Sequence, residues 1–342
     1  MKEVSIDLGP STERLREAYR DKAVLVTGGL GFLGSNLCHT LVDLGAKVTI
    51  VDTMLPRLGG NLFNIESIRD RVALHITDIR SAHSMNYIVQ GQEIVFHLAG
   101  QVNHVDSIRD PLQDLDINAR GTLILLESLR LHAPDARLVF VGTRGQYGKS
   151  IKLPVDEEHP QKPKGIYAIS NITAENMVMI YHDVHRLEST CSRLTNTFGP
   201  RHQMRHDEFG VFNWFIRKAM DDDEIPVFGD GKTTRDYLYV DDAVECLLLS
   251  GIHPAAFGEV FNIGRGAPTG FLELAELIVQ LVGTGRIVFK PFTPERIALE
   301  PGDFYCDISK ITSRLGWQPR TSLEEGIAKT VAFYREYKAH YW

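Results

Sequence analysis

Tyr167 and Asn171 stand four residues apart in the stretch GIYAISNITAENM, and so lie one turn apart on any helix formed there. A tyrosine can take a proton from a substrate only as its phenolate, and a free phenol has a pKa of about 10. An asparagine one turn away offers a hydrogen bond but no charge to lower that value. A second cluster, TGGLGFLG, sets Gly28, Gly31 and Gly34 at intervals of three. Such glycines between a strand and a helix let the backbone approach a pyrophosphate seated at the helix N-terminus. Asp52 follows Gly34 by 18 residues, at the end of the next apolar run. A carboxylate there accepts hydrogen bonds from both ribose hydroxyls of an adenosine and repels a 2′-phosphate, which selects NAD over NADP. Asp78 and Ile79 follow the third run, where the adenine amino group would lie. Leu98, Ala99 and Gly100 end the segment HLAG, which is small where the chain would pass the cofactor.

These residues need rigid elements to hold them. Short apolar runs at 23–27 (AVLVT), 47–51 (KVTIV), 72–76 (VALHI), 93–99 (EIVFHLA) and 137–141 (RLVFV) alternate with helical segments such as FLGSNLCHTLVDLG and PLQDLDINARGTLILLESLRLH. Runs apolar on both faces imply a parallel sheet covered by helices on both sides. The helix begun near Tyr167 leads to a further strand in TCSRLTN. Beyond residue 199 the texture changes to glycine, proline and charge, which reads as a smaller lobe. The expected organisation is a prefix over 1–20, a nucleotide-binding domain over 21–198 rejoined by 239–265, and a second lobe from 199–238 and 266–342. Pro10-Ser11 before TERLREAYR predicts a capped helix packed on the body.

The chain has 342 residues, 43% of them hydrophobic, and a net charge of −7, which gives no general basic footprint for nucleic acid. Cys38, Cys191, Cys246 and Cys306 are scattered, with no C-x-x-C pair, so reduced thiols and no metal site are expected. The first residues are charged, and no run approaches the roughly 20 apolar residues that span a bilayer. A soluble, cytoplasmic protein that does not enter a membrane is the expectation.

Over about residues 22–340 the sequence resembles the nucleotide-sugar epimerase and dehydratase branch of the extended short-chain dehydrogenase/reductase family. The segments TGGLGFLG, HLAGQVNHVDSIRDP, INARGTLILLES, VGTRGQYG, RLTNTFGPR, VFGDGKTTRDYLYVDD, FNIG and LGWQPRTSLEEGI fall in the family's order. The resemblance implies a Rossmann-type doubly wound α/β sheet with a smaller C-terminal lobe. It also implies a homodimer formed through helices near 113–133 and 168–187. Thr143 matches the family's catalytic Ser/Thr, Tyr167 its tyrosine, and Asn171 the position of its lysine. Phe32, Leu33, Gln101, Asn118 and Leu194 match residues around NAD. Ser107, Asn196 and Val211 match residues near the sugar or its phosphate, Arg235 an arginine on the diphosphate, and Phe228 and Asn262 residues of the nucleotide pocket. Glu300-Pro301-Gly302-Asp303 stands where many members carry an arginine, and Arg296 is a candidate replacement.

The family's shared step oxidises a sugar carbon, usually C4, with NAD as acceptor. Its dehydratases follow the threonine with Asp-Glu, whereas this chain has Arg144 and Gly145. A nucleotide-diphosphate-sugar epimerase at C4 is therefore the first reading. Two alternatives stay open: other nucleotide-sugar chemistry (dehydrogenase, ketosugar reductase or dehydratase), or a catalytically weakened binding protein. If turnover persists without the lysine, Arg144, Lys162 or Lys164 is the candidate cation. His104 offers a proton donor or a packed side chain, and RHQMRH a loop over a phosphate or a solvated one. DDDE reads as an exposed turn, and Trp214 as core or pocket wall.

Overall fold

The computed structural model describes residues 8–55, 58–206, 210–292 and 301–342. The alternating apolar runs become a seven-stranded parallel sheet. Its first half is β1 (Ala23–Thr27), α2 (Phe32–Asp43), β2 (Lys47–Asp52) and β3 (Val72–Ile76), preceded by α1 (Thr12–Tyr19). The chain continues through α3 (Ala82–Ile88), β4 (Ile94–His97), α4 (His104–Arg109), α5 (Pro111–Leu115), α6 (Gly121–His132), β5 (Arg137–Thr143), α7 (Ile166–His185) and β6 (Ser189–Leu194).

Alternate side chains of each strand serve opposite layers. Val24 and Val26 of β1 join Leu37 and Leu41 of α2 in one buried cluster. Leu25 between them joins Met85 of α3, Leu125 of α6 and Val178 of α7 in the other.

The second part of the chain gives β7 (Asn196–Phe198), α8 (Val211–Met220), β8 (Glu224–Phe228), β9 (Thr234–Arg235), β10 (Tyr237–Tyr239) and α9 (Val240–Ile252). It ends with β11 (Val260–Ile263), β12 (Thr269–Gly270), α10 (Phe271–Val282), β13 (Arg286–Lys290) and further helices at Ser309–Leu315 and Leu323–Tyr337. Strand order in the large sheet is β11-β6-β5-β4-β1-β2-β3. Thus β11 returns to the sheet beside β6, while α9 shares the buried cluster of β1 and α2. A separate parallel pair, β8 with β13, carries α8 and α10.

Two local expectations are corrected. Ser11 has helical φ and ψ and makes no capping bond through its side chain; a 3-10 turn over Gly9–Ser11 leads into α1 instead. The segment expected as one helix from Pro111 to His132 is interrupted by a π turn over Asp116–Arg120, where Asn118 turns inward to Gln101. Helix α1 does pack on the body: the buried Tyr19 hydroxyl donates to the Leu248 carbonyl at 2.7 Å. Among the described residues, no helix is long and apolar enough to cross a membrane and no cluster suits a metal ion.

Candidate active site

The strand order reverses between β1 and β4, and side chains there cannot close the gap left by diverging loops. A cleft of about 610 Å³ opens at this point, lined from the carboxyl ends of β1, β2, β4, β5 and β6 and closed on the far side by α8, β8 and β9. Gly28, Gly31, Phe32, Leu33, Gly34, Asp52, Asp78, Ile79, Leu98, Ala99, Gly100, Thr143, Tyr167, Leu194, Asn196, Val211, Phe228 and Arg235 all line it.

At one end the turn from β1 into α2 brings the backbone into the cleft. Gly28 has φ +74°, and a Cβ on it would meet the Ala99 nitrogen at 2.8 Å. A Cβ on Gly34 would overlap the Gly28 carbonyl, so strand, turn and helix pack closer than any side chain permits. The Asp52 carboxylate accepts from the Leu30 N–H at 3.1 Å and the Met54 N–H at 2.9 Å, fixing it at the mouth of the turn. Burial raises its pKa and these backbone donors pull it back. A backbone cradle at a helix N-terminus with a strand-end carboxylate fits the pyrophosphate and adenosine ribose of a dinucleotide. Asp78 also lines the cleft, but its carboxylate is gripped by Arg80 at 2.7 Å. Burial works against that charge; the guanidinium outweighs it and the pKa falls.

At the other end Thr143 closes β5 and Tyr167 opens α7. Thr143 stands beside the phenol and favours its ionised form. Burial pushes the Tyr167 pKa up to about 12; Thr143 and the Arg144 charge pull down, while the buried Asp114 carboxylate adds to the rise. His104 meets the Tyr167 ring edge-on, with centroids 4.8 Å apart. His104 keeps an exposed face; desolvation where it meets the cleft and then the Arg144 charge lower its pKa. The Arg144 guanidinium lies 4.9 Å from the Phe304 ring centre, and its Nε is 3.4 Å from the Asn196 Oδ1.

Five expected site residues do not line the cleft. The Asn171 amide donates to the Tyr167 carbonyl at 2.8 Å, one turn back on its own helix, rather than reaching towards a ribose. Ser107 is buried and its hydroxyl donates to the His104 carbonyl at 2.8 Å. Asn262 is fully buried: its Oδ1 accepts from the Tyr147 hydroxyl at 2.6 Å and its amide donates to the Val155 carbonyl at 2.9 Å. Asn118 and Gln101 act one layer behind, since the Asn118 amide exchanges bonds with the Gln101 N–H (2.8 Å) and carbonyl (3.0 Å). That clamp fixes the loop after Gly100.

The wall of the cleft opposite the β1–α2 turn is built from residues after 199. Arg235 on β9 donates to the Thr234 and Gly302 carbonyls at 2.8 and 2.7 Å, lies over the Phe271 ring and lines the cleft. Val211 and Trp214 of α8 and Phe228 of β8 form apolar wall, so Trp214 is wall and not core. In RHQMRH the residues that reach the cleft are His202 and Gln203; Arg201 turns inward and donates to the Asn36 Oδ1 at 2.7 Å. The acidic turn at 221–224 is surface, tied by ion pairs from Lys218 to Asp223 and Arg286 to Glu224. Arg296 and Glu300 lie outside the described residues. Thr195 and Thr197 also line the cleft; the only sequence signal for them was their place beside Asn196 at the end of β6.

Known proteins are similar to this chain along nearly its whole length. A family model described as GDP-mannose 4,6 dehydratase matches residues 25–330. The UDP-glucose 4-epimerase of Mycolicibacterium smegmatis is 34% identical over 316 residues, spanning 91% of this chain and 98% of that protein. The solved UDP-glucose 4-epimerase of Thermotoga maritima, with UDP-glucose, matches at a TM-score of 0.84 and 32% identity, covering 92% of this chain and 99% of its own. That of Thermus thermophilus, in complex with NAD, matches at 0.81 and 27%, covering 92% and 99%. With the family model matching residues 25–330 and relatives 34% and 32% identical along nearly the whole length, the chain belongs to the extended short-chain dehydrogenase/reductase family, in its nucleotide-sugar epimerase and dehydratase branch.

Proposed function

We propose that the protein is an NAD-dependent epimerase of a nucleotide-diphosphate sugar, acting at C4. The observation that carries this reading is the Thr143–Tyr167 pair in a cleft whose only carboxylates, among the described residues, are Asp52 and Asp78 in the dinucleotide half. An elimination needs further acid and base groups beside the sugar, and Arg144 and Gly145 occupy the positions after Thr143. Inversion through a transient ketone needs none.

NAD, when bound, would supply the reversible hydride acceptance and a positively charged ring. The backbone of the Gly28–Gly34 turn would hold its pyrophosphate and Asp52 its adenosine ribose. Tyr167 would take the proton of the sugar hydroxyl during oxidation and give it back to the same oxygen when the ketosugar, turned over in the cleft, is reduced on its other face. Thr143 orients that oxygen, and Arg144 contributes charge that favours phenolate. Arg235 is suited to the sugar diphosphate, because its guanidinium is permanently charged and fork-shaped. A second reading, a binder with little turnover, is favoured by one observation: Asn171 is turned to its helix and the phenol pKa is high.

One-dimensional NMR of the protein with NAD and UDP-glucose in D2O tests this. The expected result is a C4 diastereomer free of solvent deuterium. Binding without conversion would support the second reading, and a 4-keto product would replace epimerisation by elimination.

The same proposal includes a homodimer. Leu112 of α5 and Ile169, Ile180 and Val184 of α7 are exposed by 78%, 43%, 55% and 66%, on helices that touch each other. Such a stripe on neighbouring helices suits an isologous contact with a second copy. Sedimentation should give a dimer, and Ile180→Asp with Val184→Asp a monomer. A wild-type monomer at micromolar concentration would end the idea.

A further inference from the structure

Thr143 and Tyr167 come from different elements, yet their hydroxyls must stay within hydrogen-bond reach for proton transfer. The link between the elements is behind the cleft. The Gln146 Oε1 accepts from the Thr143 N–H at 3.2 Å, while its Nε2 donates to the Glu175 Oε2 at 2.9 Å. Glu175 lies on α7, the helix that begins with Tyr167. It is 4% exposed, and a buried carboxylate holds its place only when fully paired. Arg193 of β6 pairs with it through two bonds, 2.6 and 2.9 Å, and Gln161 adds a third at 3.0 Å. Arg193 in turn donates to the Tyr147 hydroxyl and the Glu157 carbonyl, each at 2.9 Å. Gln146 is fully buried, and the bare Gly142 leaves space for its amide: a Cβ there would come within 2.8 Å of the Gln146 Oε1.

We propose that Gln146 and Glu175 are positioning residues that set the spacing of Thr143 and Tyr167. Glu175, anchored by Arg193, is the fixed point; Gln146 transfers its position to the Thr143 turn. The inference rests on the roles assigned above to Thr143 and Tyr167, and its test separates the two. Gln146→Leu removes both bonds at nearly constant volume, and Gln146→Glu sets a carboxylate against Glu175. Tyr147→Phe, which loosens only the far side of the network, is the control for a purely structural role.

The measurement is the phenolate absorbance of NAD-loaded protein against pH, with the Tyr167 contribution taken by difference from the matching Tyr167→Phe protein. A displaced Thr143 no longer favours the phenolate, so the Tyr167 midpoint moves up by about one pH unit in Gln146→Leu. Turnover, where present, falls by about tenfold or more with KM within about twofold, since misplacement alone is that costly. Tyr147→Phe lowers the melting temperature and leaves the Tyr167 midpoint in place. A folded Gln146→Leu with unchanged midpoint, or a Tyr147→Phe that moves it equally, overturns the inference. Because the titration needs no turnover, an inactive wild type would remove the proposed epimerisation while this result still stood.

Discussion

An asparagine in place of a cation leaves Tyr167 with three local influences besides burial: Thr143 and Arg144 favouring phenolate, Asp114 opposing it. Removing Arg144 therefore raises the phenol pKa, and the alkaline rise of kcat in Arg144→Ala is expected to start at higher pH than in the parent. Asn171→Lys places a charge one turn from the phenol and is expected to move that rise to lower pH, by one to a few units. A pH–rate series on both variants checks this, and shifts of the same sign would refute it. Residue-scale chemistry was legible where the backbone demanded a type: glycines at a close approach, a carboxylate at a strand end. It was not legible for Asn171, Ser107 and Asn262, because a buried amide or hydroxyl takes its partner from segments distant in sequence or from its own helix.

At the scale of elements, periodicity located the strands of the large sheet before β11; β1, β2, β4 and β5 show as apolar runs, while the half-exposed β3 and the polar β6 were found from their place between helices. The π turn between α5 and α6 escaped, because its cause is the Asn118 clamp on Gln101 across 17 residues and no local propensity reports that. The β1–α2 turn carries the sharper prediction. Gly34→Ala forces a methyl onto the Gly28 carbonyl, so the turn must open. NAD affinity should fall by about tenfold or more while the strands stay folded. Calorimetric titration with NAD, alongside far-UV circular dichroism, reads the two apart; unchanged affinity would show that the turn yields elsewhere.

For the whole molecule, burial of neutral histidines ties stability to pH. His97 sits between β1 and α6, with its ring nitrogens 2.7 and 3.0 Å from the Thr27 and Thr122 hydroxyls, and burial lowers its pKa to about 4. In the unfolded chain it titrates near its ordinary value of about 6.5, so the unfolded state binds more protons below that pH. Its contribution is complete above about pH 6.5 and is lost as pH falls towards 4. Urea unfolding between pH 7.5 and 5 should show stability falling, with a shallower slope in His97→Asn; parallel slopes would exclude His97. One feature of the topology bears on how the chain is made. Residues 195–259 separate β6 from β11, its partner in the sheet, and include β7, α8, β8, β9, β10 and α9. On the ribosome β6 waits with a bare edge until residue 263 has emerged, and a nascent chain stalled before that point carries an open strand that neighbouring chains can pair with.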